Sequence, residues 1–188
     1  MVRKGSPQLA EIFTINGQSP DKYAKLKKFD DLTSINPNSR YILETPPELL
    51  TTRVVDMIAP VGKGQRGLIV AAPRTGKTTL LHQMANAVLL NHPAVHTMVL
   101  LVDERPEETT DFRRSIKGGE VIASTNDQTI DEHVRTARMA IERAKRMVEF
   151  GRDVFIVLDS ITRLARAFNN YIGSTGRTMT GGLDARAM

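Results

Sequence analysis

Cysteine and tryptophan are both absent from this 188-residue chain. Without thiols there is no disulfide framework and no thiolate metal site. That fits a reducing compartment, and the expectation is a cytoplasmic protein. Aromatic residues make up only 5% of the sequence, so its core has to be aliphatic, and at 40% hydrophobic it has enough material for one. No apolar run approaches the roughly 20 residues that a membrane helix needs. Residues Met1 to Pro7 contain no apolar signal-peptide region. A membrane partner is therefore not expected. His82, His92, His96 and His133 share no metal-ligand spacing. The net charge of +5 suits a polyanion such as RNA or DNA, and equally suits a merely soluble basic protein.

What the chain does have is a run at 71–79, A-A-P-R-T-G-K-T-T. An apolar stretch, Gly67 to Val70, precedes it, and a helical pattern, Leu80 to Leu90, follows. Strand, glycine-containing loop and helix form the setting of a phosphate-binding loop. Its backbone N–H groups and the helix N-terminus both favour an anion. Pro73, Arg74, Thr75, Gly76, Lys77, Thr78 and Thr79 are the candidate nucleotide-binding residues. Lys77 supplies a compact charge for the phosphates. The Thr78 hydroxyl is an oxygen ligand of the kind Mg²⁺ takes. Ala71 departs from the usual first glycine of this motif.

The flanking pattern is that of an α/β fold. Leu68–Ala71, Thr97–Val102, Val121–Ser124 and Val154–Leu158 have strand length. Helical patterns cover 76–90, 106–115 and 129–150, the last with Thr129 and Glu132 as a capping box. The run V-F-I-V-L at 154–158 is apolar at every position, as expected of a strand buried on both faces of a parallel sheet. Upstream, Glu11–Ile15 suggests a strand before an Asn16-Gly17 turn. Residues 30–47 read as a linker rich in Asp, Asn and Pro, and Glu48–Ile58 as a helix that Pro60 stops.

Acidic residues end two of these strands. Asp159 follows V-F-I-V-L, where a carboxylate would hold Mg²⁺; it or Ser160 would also cap the following helix. Asp103 and Glu104 follow the run 97–102. Glu104 is a candidate base for an attacking water, or else one of several acids at a solvated helix start. The segment 173–182, G-S-T-G-R-T-M-T-G-G, is either a linker or a loop whose amides, hydroxyls and Arg177 touch a phosphate backbone.

Taken together, G-Q-R-G-L-I-V-A-A-P-R-T-G-K-T (64–78), V-L-L-V-D-E-R-P-E-E-T-T-D (99–111), L-D-S-I-T-R-L-A-R-A-F-N (158–169) and T-G-G-L-D-A (180–185) closely resemble the Rho family of bacterial transcription termination factors. That family also carries Ala at the position of Ala71. The resemblance runs roughly from Glu11 onward. It implies a RecA-like P-loop ATPase core, a parallel sheet flanked by helices, preceded by a short connector and incomplete at the C-terminus. By this correspondence residues 1–47 are the end of an RNA-binding domain plus linker, and 48–188 part of the motor domain.

The function implied is an ATP-dependent RNA translocase that works as a homo-hexamer, with ATP and Mg²⁺ as cofactors and RNA and the RNA polymerase complex as partners. Glu104 would be the catalytic base, Lys77 the phosphate lysine, and Arg105 an arginine beside the active site that couples subunits. Thr78 and Asp159 would hold the metal. Gly173, Ser174, Thr175, Gly176, Arg177 and Thr178 would contact RNA, with Arg177 where Lys is common. In such folds a further strand inserts between the second carboxylate strand and the phosphate-loop strand, so a gap in the sheet is expected here. Two alternatives remain: a catalytically idle fragment that binds nucleotide or joins rings, and another RecA-type hexameric ATPase such as a rotary ATP synthase catalytic subunit.

Overall fold

The computed structural model describes residues 9–46, 49–72, 74–173, 179 and 182–187. Its centre is a three-stranded parallel sheet in the order β2-β1-β3, made of β1 (His96–Glu104), β2 (Glu120–Thr125) and β3 (Val154–Asp159). The helices are α1 (Pro20–Ala24), α2 (Leu50–Ile58), α3 (Lys77–Asn91), α4 (Pro106–Ser115), α5 (Ile130–Glu149) and α6 (Ile161–Ile172).

Strand β1 is buried on both faces because it is the central strand. Side chains alternate across it. Val99 and Leu101 meet Leu81 and Ala85 of α3 and Phe112 of α4. Met98, Leu100 and Val102 meet Ala137, Ala140 and Ala144 of α5. The small alanines let α5 lie close on the sheet. Its start is fixed by the expected capping box. The Glu132 N–H donates to Thr129 Oγ1 (3.3 Å), and the Thr129 N–H donates to the Glu132 carboxylate (2.8 Å).

Three expectations need correction. The segment Leu68–Ala71 forms no ladder with any strand, and Leu68 and Val70 are 70% and 86% exposed. A strand exists only through pairing, and among the described residues this segment has no strand beside it to pair with. Residues of this segment and of β3 both line one cleft of about 1770 Å³. For the same reason β3 is not buried on both faces; its Ile156 is 36% exposed. The Glu11–Ile15 strand is absent too. Only Ile15 bridges to Gln18 around the Asn16-Gly17 turn, whose φ values are 50° and 79°.

The stretch before α2 is irregular yet built into the core. Tyr41 and Leu43 are buried against Met84, Ala87 and Val88 of α3. Its backbone is satisfied by side chains. Asp56 accepts from the Leu43 and Glu44 N–H groups at 2.8 and 2.7 Å, and Asn91 Nδ2 donates to the carbonyls of Ile42 and Glu44 at 2.8 Å each. These bonds fix one side of α3, the helix that carries the phosphate-loop residues.

Candidate functional site

Gly76 occupies the N-cap position of α3 with φ 90°, a left-handed conformation that glycine adopts without a Cβ penalty. No side chain caps this helix end, and its first turn holds no acid. The leading N–H groups of a helix lack intrahelical partners, so this end offers donors and a partial positive charge of the kind that suits an anion. Arg74, with φ 64°, Thr75 and Gly76 form the exposed loop ahead of it. Thr75 Oγ1 donates to the Ala72 carbonyl at 2.7 Å, which tightens the turn. Pro73 lies outside the described residues.

Lys77, Thr78 and Asp159 meet at one point. Lys77 Nζ is ion-paired with Asp159 Oδ1, and Thr78 Oγ1 donates to Asp159 Oδ2 at 3.2 Å. The Asp159 side chain is only 4% exposed. Ser160 caps α6, its Oγ accepting from the Arg163 N–H at 3.4 Å. Cap and strand-end carboxylate are thus separate residues with separate partners. Thr79 is exposed on the first turn of α3.

Glu104 ends β1 and is buried. Its Oε2 pairs with Arg163 Nη1 at 2.7 Å. Burial, followed by the neighbouring Glu108 carboxyl, pushes its pKa up to about 7, while the Arg163 charge works in the opposite direction. Arg105 stands exposed at the N-cap of α4, with no hydrogen bond or ion pair to the other site residues among those described. Gly173 ends α6 with φ 72°. Ser174, Thr175, Gly176, Arg177 and Thr178 lie outside the described residues.

Arg163 carries a role that the sequence did not single out. It sits in S-I-T-R, three residues beyond the α6 cap, and its guanidinium also donates to the Asp103 carbonyl at 2.5 Å. The usable signal was an arginine one helical turn beyond a strand-end carboxylate.

Residues 51–181 match the ATP synthase alpha/beta family, nucleotide-binding domain. The chain belongs to this family. Within it, similarity is high to proteins named transcription termination factor Rho. The Streptomyces coelicolor protein is 55% identical over 180 residues, 96% of this chain and 43% of the relative. The Mycobacterium tuberculosis H37Rv protein is 54% identical, again over 96% of this chain but 30% of its own length. The chain therefore spans between about a third and a half of these relatives.

Among solved structures, an ATPase from the type III secretion system of pathogenic bacteria superposes with a TM-score of 0.68 at 25% identity, over 82% of this chain and 44% of that one. An ATP synthase subunit of Nanoarcheaum equitans gives 0.67 at 21% identity, over 84% and 39%. The fold is the RecA-like P-loop core expected from the resemblance. No helix among the described residues is long and apolar enough to cross a membrane.

Proposed function

We propose that the chain is the nucleotide-binding part of a Rho-type motor, which hydrolyses ATP and pulls RNA through a homo-hexameric ring to release transcripts from RNA polymerase. The single observation that carries this reading is the convergence of Lys77, Thr78 and Asp159 at the open end of α3, with Glu104 on the adjacent strand end. Sequence identity near half of all positions favours a Rho-type motor over a rotary ATP synthase subunit.

The donor set fits Mg²⁺. A hydroxyl and a carboxylate stand 3.2 Å apart. Among the described residues no group of three or more His, Cys, Asp or Glu forms a metal cage. Mg²⁺ is commonly held by one or two protein oxygens together with substrate phosphates and water. Thr78 and Asp159 would hold the ion, and when bound it would neutralise charge on the β- and γ-phosphates. Lys77, released from Asp159, would reach the same phosphates. Glu104 would accept a proton from the attacking water. Arg105, exposed beside Glu104, would serve a neighbouring subunit. Gly173, Ser174, Thr175, Gly176, Arg177 and Thr178 would contact RNA through amides, hydroxyls and one guanidinium.

The cleft beside β3 favours one second reading, in which the chain alone binds nucleotide without turning it over. Calorimetric titration of ATP with Mg²⁺ into the chain tests the shared step. Saturable binding that Lys77→Ala weakens about tenfold or more is the expected outcome. Equal affinity for both proteins removes the phosphate-loop reading. In a full-length Rho carrying this segment, Arg177→Ala should lower RNA-stimulated ATPase and shallow its salt dependence by about one phosphate contact.

A further inference from the structure

We propose that Arg163 is the positioning residue for Glu104, its guanidinium holding both the carboxylate and the backbone bulge that presents it. The proposal rests on Glu104 being the base described above.

Val99 and Leu101 face α3 and α4, whereas Met98, Leu100 and Val102 face α5. Strict alternation would put residue 103 on the α3 and α4 face and residue 104 on the α5 face. The ladder to β2 breaks that rule. Val102 pairs with Ser124 and Glu104 with Thr125, leaving Asp103 as an extra residue. Asp103 takes a left-handed backbone, φ 57°. A bulge of this kind re-aims the following side chain. Accordingly the Asp103 carboxylate lies 3.9 Å from His133 Nε2 of α5, and Glu104 has Glu108 of α4 and Arg163 of α6 as its neighbours.

A bulge in a non-glycine residue costs energy and persists only where the surroundings hold it. Two contacts do so here. The Asp103 N–H donates to Ser124 Oγ at 3.4 Å, and the Asp103 carbonyl accepts from Arg163 Nη1 at 2.5 Å. The same Nη1 reaches Glu104 Oε2 at 2.7 Å. One guanidinium thus ties the diverted carbonyl to the carboxylate that the diversion exposes to the site. The two N–H bonds of Nη1 lie in the rigid guanidinium plane and can serve one acceptor each, whereas a lysine ammonium keeps the charge without that fixed plane. The charged groups around Glu104 are Glu108 of α4, Arg163 of α6 and Asp159 of β3, the last paired with Lys77 of α3.

The test uses the 188-residue chain with carbon-13 in its glutamate carboxyl groups. Glu104→Gln identifies the Glu104 resonance. Spectral dispersion of each variant reports whether it folds. With Arg163→Gln, Glu104 should titrate at a higher pH than in the parent chain, because the neighbouring cation favours the charged form. Arg163→Lys should restore part of that shift, whereas a merely structural role would give no ordered return. Nucleotide affinity by calorimetry should stay within about twofold.

An unchanged Glu104 titration in folded Arg163→Gln, or no return toward the parent titration in folded Arg163→Lys, overturns the proposal. So does a loss of nucleotide affinity of about tenfold with no movement of Glu104, which would assign Arg163 to the phosphates instead. Whether Glu104 is the base is decided separately, by Glu104→Gln turnover in a full-length Rho carrying this segment. Near-normal turnover there removes the base and leaves the carboxyl titration as the measure of the Arg163 contact.

Discussion

Lys77 and Asp159, 82 positions apart in sequence, are joined by an ion pair in which the carboxylate is 4% and the lysine 31% exposed. The pair closes the distance between the first turn of α3 and the end of β3. It also sets a competition. The cation that phosphates would attract is the one now neutralising the buried carboxylate, and a divalent ion arriving with the nucleotide would take over that task. Binding of phosphate and binding of metal would therefore be coupled through one side chain.

Lys77→Ala should accordingly do two things. It removes the charge for the phosphates, and it leaves Asp159 buried without its cation. The second effect should cost about 1–3 kcal/mol of folding stability, the range for a buried polar group that loses a partner, since Thr78 still donates to Asp159. Urea unfolding of Lys77→Ala and of Lys77→Ala with Asp159→Asn measures it. The double variant should recover most of the loss. No recovery would mean that the ion pair contributes little to the fold.

Glu104 provides a pH dependence whose sign is fixed. Its carboxyl is raised from 4.5 to about 7. A raised carboxyl pKa means that folding favours the protonated form. That contribution is fully present below the unfolded pKa and is lost as pH rises through the folded one. Glu104→Gln mimics the neutral acid. Its melting temperature relative to the parent chain should rise between about pH 4.5 and pH 7 and level off above pH 7. A difference that stays flat across this range would show that Glu104 titrates normally.

How legible the chain was varied with the kind of signal. The bounds of α4 coincide with expectation, because Pro106 and the following acids act through local backbone chemistry. The capping box of α5 is local in the same way. The bulge at Asp103 was not legible, since register belongs to the pair β1 and β2 and not to either strand. Nor was the burial of Tyr41 and Leu43. They lie in a segment without periodicity, and what buries them is α3 together with Asp56 and Asn91, whose side chains satisfy its backbone. Run V-F-I-V-L was misleading because its composition suits a central strand, whereas β3 is paired on one side only.

Glu149 supports a prediction about the arm preceding the core. Its side chain is 1% exposed, pairs with Arg146 at 2.8 Å and accepts the Phe29 N–H at 2.7 Å. Tyr23 stacks on Phe150 with ring centroids 5.7 Å apart, and Lys145 reaches Asp30 at 3.3 Å. Glu149→Ala leaves the Phe29 donor and the Arg146 charge without their acceptor, at a cost of about 1–3 kcal/mol. Amide exchange at Phe29 and its neighbours should quicken while exchange in β1 stays unchanged. Protection at Phe29 that survives the substitution would show that the ring contacts hold the arm without Glu149.

The cleft beside β3 governs what the chain does alone. Leu68 and Val70 are exposed, and they precede the loop that must place Lys77 against Asp159. A phosphate loop entered from an unpaired segment is held by α3 and by the packing of Ile69 with no sheet ladder behind it, so its geometry at a γ-phosphate would be loosely held. Turnover should suffer more than binding, because a misplaced reacting group costs rate steeply. The open edge of β3 should also pair with other chains. Purified alone, the chain should bind nucleotide, show little RNA-stimulated ATPase and gain mass with concentration. Leu68→Lys combined with Val70→Lys should lower that self-association without unfolding α3, whose core contacts are to β1, β3, α2, α4 and the Tyr41–Leu43 segment. Light scattering and an ATPase assay on the same samples decide the matter. A discrete hexamer with strong RNA-dependent turnover would show that the unpaired segment is no handicap.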